Sequence, residues 1–159
     1  MKVLFYSPYI TIDEMSPFSR SKTGFGYMVR DIATAMTDLC DVDLLTLSGL
    51  TSGLVYKKVN ILPNTLLKFL LHFRLSSFVT FFSLLFKYRF DFKEAKHFFI
   101  ACCTQGYIRY ILNSKHYDLV HIHSSMFNVE VCIRECKRKR IPYLITSHAS
   151  ALHEQLANL

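Results

Sequence analysis

Short apolar runs alternate with longer segments of helical periodicity along this chain of 159 residues. The run KVLFYS is too short for a helix and lacks clean alternation, which is typical of a strand buried on both faces of a parallel sheet. The segment DVDLLTL is predicted to be a second strand. Alternation of such strands with helices predicts a Rossmann-like α/β fold with a parallel sheet and helices on both faces. We expect strands at 2–7, 41–47, 59–63, 118–123 and 142–147, and helices at 27–39, at 127–139 and from about Ser150.

The composition fits one globular domain spanning residues 1–159. About half of the residues are apolar (51%), and the chain has 5 glycines and 4 prolines without a repeat, which excludes collagen-like, disordered and solenoid classes. The 5 cysteines are odd in number and no secretory leader precedes the first strand, so we expect reduced thiols and a cytoplasmic protein. Cys132 and Cys136 have a spacing that one helix face could offer to a metal, but no second pair completes a site. We therefore expect no metal and no cofactor.

The positive charge is concentrated in one apolar segment. The stretch from Lys57 to Lys93 contains seven basic residues and one acidic residue, and about 64–113 is predicted to be a helical, basic and apolar insertion. Its longest charge-free run, from Leu75 to Phe86, has 12 residues, fewer than the roughly 20 that span a bilayer. Such a segment suits either a core helix with a basic edge or a helix lying on an anionic membrane. The membrane-facing candidates are Lys68, Arg74, Phe78, Phe81, Phe82, Lys87 and Arg89.

Three histidines are candidates for a functional site. His121 and His123 are two positions apart in a predicted strand, so their side chains share one face. Ligands of open α/β sheets bind beyond the carboxyl ends of the strands, where His123 and His148 fall. We expect His121 to be a hydrogen-bonded core residue and the other two to border the site.

A glycine pair lies before the first helix. Gly24, Phe25 and Gly26 could bring backbone N–H groups close to an anion such as a phosphate. A dinucleotide fingerprint needs three glycines directly after the strand, and here Val29 stands at the third position, so we do not expect NAD binding. A plain turn that caps the helix explains the pair equally well.

Taken in order, these motifs resemble the N-terminal domain of glycosyltransferase family 4, whose enzymes have the two-domain GT-B architecture. The similarity extends from Met1 to about Ser150 and is weakest over 57–115. The segments that carry it are KVLFYSPY (2–9), TGFGYMVRDIATAM (23–36), DVDLLTL (41–47), HYDLVHIHS (116–124) and IPYLITSH (141–148).

The resemblance implies a retaining transfer of a sugar from a nucleotide-activated donor, used as substrate, to a glycan or lipid-linked acceptor in cell-surface polysaccharide or glycolipid synthesis. By position, Gly24 to Gly26 would face the donor diphosphate, His148 would approach the transferred sugar as the catalytic residue, and His123 with Ser124 would border the acceptor. The protein would work in the cytoplasm, at the inner face of the cell membrane if the basic segment binds lipid.

The family pattern is incomplete in this chain. Such transferases carry the nucleotide pocket and a pair of glutamates eight positions apart in a C-terminal domain, whereas Glu130 and Glu135 are five positions apart on a predicted helix. We therefore expect this chain to be the amino-terminal part of the architecture, completed in the same or another polypeptide.

Two other function classes remain open. A noncatalytic Rossmann-like binding module needs no second domain. A His-ligated metal hydrolase would use His121, His123 and His148, but no carboxylate follows His148 until Glu154. Nucleic acid is not an expected partner, because the basic residues are interleaved with leucines and phenylalanines and do not form a polar stripe.

Overall fold

A computed structural model of the protein describes residues 1–16, 18–19, 22–47, 49–87, 92–123 and 127–146, with the backbone alone at 92–97 and 127. The strands are β1 (Lys2–Tyr6), β2 (Asp41–Leu45), β3 (Leu54–Tyr56), β4 (Val59–Ile61), β5 (Leu119–His123) and β6 (Tyr143–Thr146). The helices are α1 (Gly24–Met36), α2 (Leu66–Leu71), α3 (Leu75–Lys87), α4 (Phe92–Ser114) and α5 (Phe127–Lys139).

The strands form one six-stranded sheet in the order β3-β4-β2-β1-β5-β6. β1 pairs in parallel with β2 and with β5, and β2–β4 and β5–β6 are also parallel, while β3 pairs antiparallel with β4. The predicted α/β class with a mostly parallel, Rossmann-like sheet is confirmed.

Alternate residues of β1 supply two separate cores. Val3 and Phe5 face α1 and pack in a cluster with Val29 of that helix. Leu4 and Tyr6 face the opposite way, into a cluster built from α2, α4 and α5. Because successive side chains of a strand point to opposite faces, a continuously apolar strand must be covered on both sides. The helices on both faces of the sheet provide that cover, as predicted.

The hairpin formed by β3 and β4 differs from the predicted single strand at 59–63. Lys57 and Lys58 form its two-residue turn and both have positive φ, 44° and 68°. Hairpin turns of this kind favour Asn and Gly. Two lysines stand at these positions here, so the usual sequence signal for a hairpin is missing. The extra strand, β3, adds one antiparallel strand at the edge of the sheet.

The predicted helical insertion at about 64–113 corresponds to α2, α3 and α4. α2 and α4 contact the sheet, whereas α3 packs on α4 and α5 through a cluster that includes Leu84, Phe98 and Val131. Of the break predicted near residues 90–93, residues 90 and 91 lie outside the described part of the chain, and residues 92 and 93 belong to α4.

Glu135 ties α4 to α5. Its carboxylate is buried, with 1% of the side chain exposed, and it accepts hydrogen bonds from Arg109 at 2.7 Å and 2.9 Å and from Gln105 at 2.8 Å. Burial by itself raises the pKa of the carboxyl, but the hydrogen bonds from Arg109, Arg138 and Gln105 outweigh it and hold the pKa below its ordinary value. Glu135 is therefore ionised at neutral pH and has a structural role, the joining of α4 to α5.

Candidate functional site

The order of the strands in the sheet changes direction at β1. Such a change leaves a crevice at the carboxyl end of that strand. The chain leaves β1 through α1 and returns on one side as β2, while β5 lies on the other side of β1. In open α/β sheets, ligands bind at such a switch point, beyond the carboxyl ends of the strands. Two features belong to the elements next to this point: the first turn of α1, and His123, which is the last residue of β5.

The glycine pair lies inside the first turn of α1 and not in a loop before it. Thr23 is the N-cap, and its hydroxyl oxygen accepts a hydrogen bond from the N–H of Gly26 at 3.0 Å. The predicted cap is present, with the helix beginning at Gly24 and three residues earlier than expected.

The two glycines have different surroundings. A Cβ on Gly26 would lie 2.2 Å from the Thr11 hydroxyl oxygen and 2.9 Å from the Thr11 backbone nitrogen. Among the described residues outside its own helix turn, a Cβ on Gly24 would meet no atom within 4 Å. The N–H of Thr11 donates to the carbonyl of Gly26 at 3.2 Å. Gly26 therefore lets the segment after β1 pack on the helix, and Gly24 leaves open space at the helix start.

The segment after β1 carries polar residues that the sequence patterns did not single out. Thr11 is buried against Gly26, and exposed Asp13 accepts a hydrogen bond from the Tyr27 hydroxyl at 2.8 Å and pairs with Lys22 at 3.3 Å. The hydrogen bond from Tyr27 is the main reason that the pKa of Asp13 is lowered. Thr11 and Asp13 belong to the segment before α1, and Asp13 is 14 positions from Tyr27, so no local motif links them to the helix. Only the fold brings them to its start.

His121 is a hydrogen-bonded core residue, as expected. Its Nε2 lies 2.8 Å from the Thr146 hydroxyl, 8% of the residue is exposed, and burial lowers its pKa. The ring is therefore held neutral at neutral pH and is engaged by β6.

His123 lies at the carboxyl end of β5, as predicted, but it has no exposed surface. Its ring stacks on Phe5, with centroids 5.4 Å apart and planes 12° from parallel, and lies 4.0 Å from the ring of His121. The two imidazoles share the α1 face of the sheet, as their spacing predicted. A contact between His123 and an acceptor stays a prediction.

Three predicted site residues, Ser124, His148 and Arg89, lie outside the described part of the chain, as does the helix expected from about Ser150. The geometry that carries the candidate site is therefore that of Gly24, Gly26 and His123.

The described cysteines are free, and four of the five are buried. Burial raises the pKa of Cys102 and of Cys136 to about 12, so both are neutral thiols at neutral pH. Within the described ranges, no group of three or more His, Cys, Asp or Glu side chains is arranged to hold a metal ion.

The basic and apolar segment presents a large apolar surface. Phe78 and Phe82 are 44% and 53% exposed, whereas Phe81 is partly buried against the cluster between α3 and α4 and so differs from the other two phenylalanine candidates. Among the described helices, none combines the length and apolar character needed to cross a bilayer. Other large apolar side chains exposed on α2 and α3 are Leu66, Leu67, Leu70, Leu71, Leu75, Val79 and Phe86.

Comparisons with known proteins reveal similarity in fold. No protein-family model matches the chain, and no curated protein matches it significantly. Two crystal structures of the C-terminal domain of a hydrogenase from Pyrococcus furiosus are similar, with TM-scores of 0.53 and 0.50 and 16% identity. The first similarity covers 92% of this chain and 90% of the hydrogenase domain, and the second covers 91% and 90%. At this identity the similarity identifies the chain as an α/β domain of Rossmann-like architecture.

Proposed function

We propose that this chain is the acceptor-side, amino-terminal domain of a retaining glycosyltransferase of GT-B architecture. It would help transfer a sugar from a nucleotide-sugar donor to a glycan or lipid-linked acceptor in cell-surface polysaccharide or glycolipid synthesis. The observation that supports this most is the helix start at the switch point: Gly26 is packed tightly on Thr11, whereas Gly24, two positions earlier, is left open by the residues that the structure describes.

This helix start suits a donor diphosphate. The first N–H groups of a helix have no partner within the helix, and the helix dipole favours negative charge at that end. Because Gly24 has no Cβ, and because no described residue beyond its own helix turn lies within 4 Å of where one would be, a phosphate could approach its backbone closely. Amides held in position would oppose the charge that grows on the departing diphosphate.

Imidazoles would serve the sugar side of the crevice. The resemblance assigns His148 to the transferred sugar and His123 with Ser124 to the acceptor. With its ring stacked on Phe5 and no exposed surface, His123 is better suited to positioning the end of β5 than to direct contact in this conformation. His148 is therefore the proposed catalytic residue, as a group that hydrogen-bonds sugar hydroxyls or orients the acceptor.

The partner of this domain would be a nucleotide-binding C-terminal domain, in the same or another chain. The two glutamates of α5 are already engaged: Glu130 pairs with Lys87 at 3.0 Å and Arg134 at 2.8 Å, and Glu135 pairs with Arg109. Neither is free for a sugar nucleotide. The donor-binding carboxylates of the reaction would come from that second domain.

We further propose that the protein attaches to the inner face of the cell membrane through α2 and α3. Exposed apolar patches of this extent mark interaction surfaces. Lys68 and Arg74 lie beside the exposed leucines and phenylalanines, and neither has an ion pair within the described part of the chain. An apolar surface with unpaired cations complements an anionic bilayer.

The main alternative is a noncatalytic Rossmann-like binding module, which the complete burial of His123 favours. A His-ligated hydrolase has less support, because Nε2 of His121 is engaged by Thr146.

A transfer assay tests the proposed reaction. The chain, joined to the nucleotide-binding domain that completes it, would be incubated with UDP- and GDP-sugars and glycan acceptors, and nucleoside diphosphate release and product anomeric configuration would be followed. We expect retention of configuration, a loss of turnover of about 100-fold for His148→Ala, and none for the surface control Lys58→Ala. Binding of glycans with no transfer from any donor would favour the binding module instead.

A further inference from the structure

A cavity that the proposed transfer reaction does not use lies between α2 and the second half of α4. Its volume is about 340 Å³, within the range of small-molecule sites. The residues that matter for its chemistry are Leu62, Lys68, His72, Tyr107, Tyr110 and Lys115.

Stacked rings form one wall of this cavity. His72 stacks on Tyr110, with centroids 3.9 Å apart and planes 11° from parallel, and Tyr107 lies nearly parallel to both, 13° from Tyr110 and 17° from His72. The Tyr107 hydroxyl donates to the carbonyl of Pro63 and so fixes its ring. The three rings therefore stack nearly parallel to one another, and the ring of Tyr107 is held in place from the chain that follows β4.

A glycine in α4 allows the helices to lie this close. A Cβ on Gly106 would lie 2.3 Å from the backbone oxygen of His72, at the end of α2. Because real Cβ contacts are never this short, any larger residue would displace α2 from α4. The cavity is a product of this close helix packing.

The charge of the lining is positive. Lys115 is compensated by Asp43, whose carboxylate lies 2.9 Å from the ammonium group. Among the described residues, Lys68 has no ion pair and none of the residues that line the cavity is acidic. A cation on a largely apolar wall suits a ligand with an anionic end and an apolar body.

We propose that this cavity binds a single-chain amphiphile whose anionic headgroup is a phosphate monoester or a carboxylate. Lys68 contacts the anion, and the stacked rings and leucines contact the alkyl chain. Leu71, which lines the cavity and is 69% exposed, extends the apolar surface from the cavity to the outer face of α2. This site is separate from the start of α1, and its occupation requires neither sugar transfer nor a bilayer.

Calorimetric titration of the 159-residue protein with decyl phosphate, at concentrations where the ligand is monomeric, tests the proposal. We expect a Kd of about 10 μM. Lys68→Gln should weaken binding by about tenfold or more, while Lys68→Arg should keep it within about threefold because the charge remains. Lys58→Gln is the matched control, since Lys58 belongs to the same basic segment but lies in the turn between β3 and β4 and does not line the cavity, and it should leave the Kd unchanged.

Three further titrations identify the kind of anionic headgroup that binds and the contribution of the alkyl chain. Decanoate tests the carboxylate headgroup, inorganic phosphate tests the headgroup alone, and decanol tests the chain alone; the last two should bind at least about tenfold more weakly than decyl phosphate. In NMR spectra, decyl phosphate should raise the pKa of His72, which burial and the nearby Arg74 and Lys68 lower in the free protein.

The proposal is overturned if Lys68→Gln binds decyl phosphate as the wild type does while its melting temperature is unchanged. Equal affinity for decanol, or the absence of any saturable binding by both anionic amphiphiles, overturns it as well. These measurements contain no sugar nucleotide and no vesicle, so their failure is distinct from failure of the proposed function.

Discussion

Gly26 and Thr11 are in such close contact that a Cβ on the glycine would lie 2.2 Å from the Thr11 hydroxyl oxygen. This contact joins the start of α1 to the segment that follows β1. The contact lies within the candidate site at the carboxyl end of the sheet.

The two glycines of α1 should respond oppositely to alanine. Gly26→Ala forces a Cβ against the Thr11 backbone nitrogen as well as its side chain, and we expect a loss of about 1–3 kcal/mol in the free energy of unfolding. Gly24→Ala adds a methyl group to open space and should be neutral or stabilise by up to about 1 kcal/mol. Urea denaturation of the two variants measures both effects. Equal stabilities would show that the contact is not as close as described.

The buried Glu135 should contribute strongly to stability. Glu135→Gln leaves the guanidinium of Arg109 without its carboxylate, and we expect a loss of about 3 kcal/mol in the free energy of unfolding. The control is Asp31→Asn, which removes an exposed partner of Arg30 and should cost less than about 1 kcal/mol. Similar losses in the two variants, measured by denaturation at neutral pH, would contradict the structural role of Glu135.

Stability should fall as the pH falls below about 6.5, the ordinary pKa of histidine. Burial lowers the pKa of His121 in the folded protein, so between that lowered value and 6.5 the unfolded chain binds more protons than the folded one. Unfolding is then favoured by acid, and the full stability is present above pH 6.5. The carboxyls of Asp43 and Glu135 have lowered pKa values and titrate further down, so measurements between about pH 5 and 7.5 report on imidazoles.

His121→Gln should flatten this dependence. Comparison of its urea denaturation with that of the wild type, at several pH values in the same interval, gives the contribution of His121 directly. A variant with an unchanged slope would assign the pH dependence to other groups.

Membrane attachment should depend on Arg74 more than on Lys87. Sedimentation with phosphatidylcholine vesicles containing about 30 mol% phosphatidylglycerol should weaken about fivefold for Arg74→Gln, because one basic residue near an anionic surface contributes about 1 kcal/mol. Lys87 is paired with Glu130 at 3.0 Å, so Lys87→Gln should have a smaller effect. Binding should also weaken with salt.

The apolar part of the surface is tested separately. Phe82→Ser removes an aromatic side chain that is 53% exposed and should reduce vesicle binding, whereas the more buried Phe81 is unsuitable for this test because its substitution disturbs the helix cluster. If wild-type protein does not sediment with these vesicles at low salt, the membrane proposal fails.

Much of the architecture was predictable because its signals are local. A run such as KVLFY has the length and continuous apolar character of a buried strand, and 127–139 has the bounds of α5 as observed. The parallel sheet followed from the alternation of such segments. The β3 hairpin was missed because its turn is formed by Lys57 and Lys58, whose positive φ values the sequence does not signal.

The spacing of His121 and His123 was enough to predict that they share one face, since side chains alternate along any strand. It was not enough to predict that Phe5 stacks on His123 and that no surface of this imidazole is exposed, because Phe5 comes from a strand more than a hundred residues away. Likewise, the glycine pair was visible in the sequence, but the difference between Gly24 and Gly26 depends on Thr11. Periodicity and residue type act over a few neighbouring residues, and they determined the helices and strands of this protein. Burial, close contacts and the cavity between α2 and α4 depend on which distant segments meet, so only the tertiary structure decided them.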